Sequence, residues 1–184
     1  LFPYTTLFRL AKKDLLVVFL LSLLRATTSF SLLIAYQNIA TGVASTIHFM
    51  YPLAVSLAMM FFFHEKKSLL VMLAVLMSLF GAALLSSGEL EAKSGDTIVG
   101  LVAACISVFS YGGYIIGVRT TRAAQINSTV LTCYVMGMGA VLYLIGAMAT
   151  FGLHLVTDGY IWLIILGLAL PATAISNITL VRAI

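Results

Sequence analysis

Charged side chains are scarce in this sequence. They make up 9% of its 184 residues, where a soluble domain carries about 25%, so a water-soluble globule is excluded. Cysteine is nearly absent: Cys105 and Cys133 both sit inside apolar runs, where a thiol behaves as a small hydrophobe, and a small disulfide scaffold is excluded as well. Only three prolines and one tryptophan punctuate the chain. The six acids all lie in or beside polar connections, leaving the middle of every apolar run without a negative charge. What fills the chain instead is apolar: 62% hydrophobic residues and a mean hydropathy of +1.14. Disorder and a nucleic-acid module both need far more polar surface, and an integral membrane protein remains.

A membrane helix needs about 20 apolar residues. Uncharged runs bounded by polar clusters predict an all-α membrane protein with six transmembrane helices, at 15–36, 41–63, 69–86, 98–118, 129–151 and about 160–180. All five connections are short, so successive connections lie on opposite sides of the bilayer. One side then holds Lys12, Lys13, Lys66, Lys67, Arg119 and Arg122, with Arg182 near the end of the sixth run, while the other holds Lys93 alone. Because cytoplasmic loops carry the excess of Lys and Arg, the first side is expected to be cytoplasmic and the 89–97 loop to face out. The net charge of +4 is thus an orientation signal, not a nucleic-acid footprint. Asn127-Ser128-Thr129 matches a glycosylation sequon, but on the cytoplasmic side it is a chance match.

Several polar residues stand inside the runs. Arg25 lies ten residues into the first, about 15 Å deep at 1.5 Å per residue. A midplane charge costs several kcal/mol and must face the bundle interior or a wet cavity. Arg25 is either a hook for an anionic substrate, which guanidinium binds bidentately, or a structural arginine bonded to backbone carbonyls. His48 shares a helical face with Thr41, Ser45, Pro52 and Ser56 and is the one intramembrane side chain that titrates near neutral pH. It is either a proton-coupling group or a histidine satisfied by a neighbouring hydroxyl or carbonyl. Pro52 frees a carbonyl one turn back and marks a kink. In the fourth run Ser107, Ser110, Tyr111 and Tyr114 share one face, with Gly113 and Gly117 on an adjoining one suited to close helix packing. Tyr111 and Tyr114 are candidates for lining a pathway. Thr173, Ser176 and Asn177 form a further polar patch in the sixth run.

The order Ala35-Tyr36-Gln37-Asn38-Ile39-Ala40-Thr41-Gly42-Val43-Ala44-Ser45-Thr46-Ile47, then Pro52, then Glu65, resembles the EamA-like branch of the drug/metabolite transporter superfamily. Its repeat shows an Ala-Leu helix end, a small-residue turn ending in Ala-Ser, a Pro-bearing helix and a Glu opening the next cytoplasmic connection. Tyr36 departs from the usual Leu, and His64 from the usual Gly before Glu65. In the second half, Ser110-Tyr111-Gly112-Gly113-Tyr114 to Arg119 resembles the opening helix of a second repeat. The resemblance implies a ten-helix protein of two five-helix repeats in inverted topology, of which this chain supplies helices three to eight. Residues 10–88 would end the first repeat, 89–97 would be the inter-repeat loop, and 98–184 would begin the second. Leu33-Ile34-Ala35-Tyr36 has a weak echo in Val181-Arg182-Ala183-Ile184, so a second Pro and Glu are expected about 148 residues after Pro52 and Glu65. Residues 1–9 resemble the translation of a sequencing adapter and are expected to be foreign to the gene; the alternative is a genuine aromatic interface segment.

The function implied is a secondary transporter in the cytoplasmic membrane that exports a small metabolite, with an anionic one favoured by Arg25. Its partners are that solute and the lipid bilayer; a homodimer is compatible with it. No cofactor and no metal are implied. A membrane-embedded enzyme would need a nucleophile or metal cluster at bonding spacing, and His48, His64 and His154 fall at different levels. The remaining alternative is a substrate-binding membrane subunit of a multi-component importer.

Overall fold

The computed structural model describes residues 12–64, 69–86, 95–150, 158–167, 169 and 175–183. Among these every regular element is helical: α1 (Lys12–Asn38), α2 (Thr41–His48), α3 (Tyr51–Phe62), α4 (Leu69–Ser86), α5 (Thr97–Thr120), a 3-10 turn (Arg122–Gln125), α6 (Ser128–Thr150), α7 (Gly159–Gly167) and α8 (Ser176–Ala183). Residues 1–11, Glu65, Lys66, Lys67 and most of the 89–97 loop lie outside the described residues.

Among the described residues, four stretches are long and apolar enough to cross a membrane: Asp14–Asn38, Thr41–Phe62, Thr97–Thr120 and Ser128–Gly146. The third expected span, α4, is an apolar helix of 18 residues at the short end of the spanning range. It is not among the four, nor is the sixth, which comprises α7 and α8. Large apolar side chains cover the outside of the helices. Leu16, Phe62, Leu70, Ile98 and Phe109 are all exposed, Phe62 by 80%. Water would oppose such a surface; lipid accepts it. Cys105 and Cys133 are free and exposed on their helices.

The helix ends are set by short polar side chains. α1 contains neither Gly nor Pro and runs for 27 residues until Asn38, whose amide donates back to the carbonyl of Ile34 at 2.9 Å. The Oδ1 of Asn38 accepts from the backbone N–H of Asp96 at 3.0 Å. Asp96 in turn caps α5, accepting from Ile98 N at 2.9 Å and Val99 N at 3.3 Å, which satisfies two of the amides that a helix start leaves open. Asn127 and Asp158 do the same before α6 and α7, accepting from Thr129 N and Tyr160 N.

The chain divides into two compact units. One comprises Leu24–Ile116, and the other Leu1–Leu23 with Gly117–Ile184. The division cuts α1 and α5 and does not fall at the 89–97 loop; packing defines the units, whereas sequence order defines the expected repeats. In the Leu24–Ile116 unit a core of Ala35, Ile39, Ala44, Ala103 and Ala104 is covered by Tyr36, Val43 and Ile47, and α4 packs on α2 and α3. Alanines at the contact let the ends of α1, α2 and α5 approach closely. In the other unit α8 packs on α6, and Gly117 admits Leu21, whose Cδ2 lies 2.7 Å from where a Cβ would stand.

His64 ends α3 with φ of 57°. This is the left-handed region, which closes many helices and which glycine enters without cost, while other L-residues pay roughly 1 to 2 kcal/mol. The strain falls at the position where the family resemblance leads one to expect glycine. His64→Gly is therefore expected to stabilise the chain by about 1 kcal/mol, read as a higher midpoint in detergent-mediated unfolding; an unchanged or lower midpoint would show that His64 repays its strain elsewhere.

Candidate functional site

The apolar run at 41–63 folds as two helices. α2 ends at His48, Phe49 and Met50 form the junction, and α3 restarts with Pro52 in its first turn. Proline has no N–H to give to the carbonyl one turn back, here that of His48, and its ring suits only the opening turn of a helix. The chain absorbs this locally. Phe49 N reaches Ser45 O at 2.9 Å, Met50 N takes the shorter step to Ile47 O at 3.0 Å, and Ala54 N resumes the regular pattern to Met50 O at 3.1 Å.

At this junction α1, α2, α3 and α5 bring polar side chains together. Nδ1 of His48 lies 3.0 Å from Oγ of Ser107. Ser107 is fully buried and donates its single hydrogen to the carbonyl of Ala104 at 2.6 Å, so toward His48 it can only accept. His48 therefore donates from Nδ1, and its Nε2 is left with a lone pair in the neutral ring. The imidazole centroid stands 5.6 Å from that of Tyr51 and 5.5 Å from that of Tyr111. Tyr51 meets Tyr111 edge to face at 4.5 Å, and Tyr114 stacks on Tyr111 at 5.8 Å. The guanidinium of Arg25 lies over the Tyr111 ring, 5.1 Å from its centroid. Contacts of this kind contribute about 0.5–2 kcal/mol each.

Burial grades the cluster. Tyr114 and Tyr111 are buried, at 1% and 8% exposed, and form its floor. Arg25, His48 and Tyr51 are only partly buried and form its accessible edge. Beside it, an apolar groove of about 500 Å³ runs along α3 and α5, with Leu53, Leu57, Val108 and Gly112 in its walls.

Of the residues singled out in the sequence, Arg25, His48, Tyr111 and Tyr114 meet in this cluster, and Pro52 stands at the junction beside it. Ser45 turns to another partner, its hydroxyl lying 3.1 Å from that of Tyr36. Thr173 lies outside the described residues; Asn177 belongs to α8, and its side chain is likewise not described. Sequence reasoning gave Tyr51 no role. Its spacing of three from His48 was the available signal, since i and i+3 share a helical face. Ser107 was grouped with the tyrosines, yet its pairing with a histidine 59 residues away leaves no local mark. Among the described residues no three His, Cys, Asp or Glu side chains stand close enough to hold a metal ion.

The chain matches no protein-family model, no curated protein and no solved structure. The functional reading accordingly rests on the residues and their geometry.

Proposed function

We propose that this chain belongs to a secondary transporter of small metabolites, an exporter working by alternating access in the cytoplasmic membrane, with the cluster around His48 on its substrate pathway. One observation carries the reading: a membrane-length apolar stretch is broken at Phe49–Met50, and at the break a histidine, an arginine and three tyrosines converge. Irregular backbone at membrane depth is tolerated only where protein or a wet cavity satisfies it. Broken helices with polar groups at the break are how transporters build midplane sites. An arginine held in the same place adds to this, because intramembrane charges mark substrate and ion pathways.

The finer architecture follows the EamA-like resemblance. The chain would provide six spans, helices three to eight of ten, with Lys12, Lys66, Arg119 and their neighbours on the cytoplasmic side. An odd number of helices per repeat inserts the two copies in opposite senses, which creates two related conformations around one site.

Two measurements test the proposal. The extended reading frame should encode a second proline near position 200 and a glutamate near 213, about 148 residues after the first pair. The complete protein, reconstituted in proteoliposomes loaded with isotope-labelled organic acids, amino acids and sugars, should release at least one of these faster than protein-free liposomes. Equal release of every solute would overturn the transport reading, and a reading frame without the second Pro and Glu would overturn the repeat.

A further inference from the structure

We propose that the groove between α3 and α5 is a binding site for one long alkyl chain, supplied by a phospholipid of the surrounding bilayer. The proposal stands apart from the transport reading. It needs only that these two helices lie in a membrane, to which their length and apolarity suit them. Three observations set the chemistry of the occupant.

The first is how the groove is built. The chain from His48 through α3 runs beside α5 in the same direction, since contacts pair His48 with Ser107, Tyr51 with Tyr111, and Val55 with the Cβ position of Gly112. On α5, Val108, Gly112 and Ile116 line the groove at spacings of four, whereas Ser107, Tyr111 and Tyr114 of the cluster lie on the adjoining face. Ala54 and Ala58 are the small residues on the α3 side. The rims are bulky: Met50, Phe62 and Phe109 line the groove and are all exposed. A hollow with small residues inside and large ones at its margins is a channel.

The second observation is the character of the walls. Every lining side chain is apolar, and the thiol of Cys105 behaves as a small hydrophobe. A polar solute would give up its water there and gain no side-chain hydrogen bond in return. An alkyl chain forfeits nothing, and each methylene it buries against the walls adds to binding.

The third is size. From Cys105 to Ile116 the groove follows α5 for about 16 Å at 1.5 Å per residue, close to one leaflet, which is half of a hydrocarbon core about 30 Å thick. A helix about 10 Å across would occupy roughly 1,200 Å³ over that length, more than twice the 500 Å³ or so present. A helix of a second copy is therefore too wide to lie in it; a single extended chain is not. The hollow along α6 differs, because all its walls but Phe19 come from that one helix, and it has little to clasp a chain from the other side.

Photo-crosslinking locates the chain. The full protein is placed in nanodiscs of dipalmitoyl phosphatidylcholine doped with a phosphatidylcholine that carries a diazirine in its acyl chain. After irradiation, residues 50–62 and 105–116 should carry about tenfold more label than the hollow on α6, as burial of two further methylenes gives. Ala58→Phe puts a ring into the groove and should bring its labelling down to the level of α6. Ala54→Leu fills less and should lower the labelling in part, which keeps the test open if the first variant does not fold by circular dichroism. Ile98→Phe adds bulk at an exposed position of α5 outside the groove and should change nothing. Label spread evenly over the exposed faces of α1, α4 and α6, or labelling unaltered in the filled variants, would overturn the proposal. Neither result touches the transport reading, whose release assay uses neither the probe nor these variants.

Discussion

Arg25→Leu is expected to stop solute release by the complete protein while leaving the chain as stable as before or more so. Opposing effects decide the stability. The substitution forfeits the contact with the Tyr111 ring, worth about 0.5–2 kcal/mol, together with a further contact of Arg25. It also removes a cation from the middle of an apolar helix, a burden of about 2.5–3.5 kcal/mol on insertion scales. The burden exceeds the ring contact, and the prediction is that insertion of α1 improves. An arginine kept for structure alone would give the opposite sign, with the buried faces of Tyr111 and Tyr114 losing their cover. Transport depends on a different quantity. Truncating one side of a desolvated charge pair costs about 2–5 kcal/mol, which is about 30-fold or more in binding. Arg25→Lys should fall between, since an ammonium keeps the charge and loses the planar fork. Release assays and detergent-mediated unfolding on the same three proteins would separate the cases: a joint fall in stability and release with Arg25→Leu would assign Arg25 to structure.

Much of the helical layout is legible in the pattern of apolar runs because each run measures the length of chain that avoids water. The run at 69–86 coincides with α4, and those at 15–36, 98–118 and 129–151 fall within one to three residues of α1, α5 and α6. The excess at the C-terminal end of α1 and at the start of α5 goes with Asn38 and Asp96, which carry the backbone beyond the apolar residues by capping and cross-bonding. Hydropathy has no term for that. Nor does it register the break at Phe49–Met50, because both halves of the run are equally apolar; only Pro52 hints at it, and proline position alone does not say whether a helix bends or restarts. At the site, Arg25 and His48 stand out in the sequence because a charge and an imidazole are costly inside a membrane. Tyr51 and Ser107 do not, since a tyrosine or a serine is unremarked on any membrane helix until its cross-helix partner is known. Ser45 shows the converse. It shares a face with His48, yet a nearer hydroxyl on Tyr36 claims it.

The register that sets Arg25 over Tyr111 depends on how the C-terminal end of α1 seats against the start of α5, and two glycines make that seat. A Cβ on Gly95 would stand 2.5 Å from the Cα of Asn38 and 2.9 Å from its carbonyl oxygen; one on Gly100 would stand 2.6 Å from Cγ2 of Ile39. The nearest neighbours at Gly95 are backbone atoms of Asn38, which cannot rotate away, and the side-chain Oδ1 of the same Asn38 accepts the bond from Asp96 N. Gly95→Ala should therefore destabilise the chain by roughly 2–3 kcal/mol, the upper part of the range for overpacking, with the cap on α5 disturbed as well. Gly100→Ala meets a branched side chain held at 6% exposure, but alanine's helix preference returns up to about 1 kcal/mol inside α5, so its net loss should be smaller. Gly139, inside α6, has nothing within 4 Å of its would-be Cβ. Gly139→Ala should accordingly stabilise by about 0.5–1 kcal/mol. Measured side by side as unfolding midpoints in mixed micelles, the three should order Gly139→Ala above the parent chain, Gly100→Ala below it and Gly95→Ala lowest. A Gly95→Ala protein as stable as the parent would show that α1 has freedom to slide against α5. Arg25 would then lack the fixed register over Tyr111 that its proposed place on a substrate pathway requires.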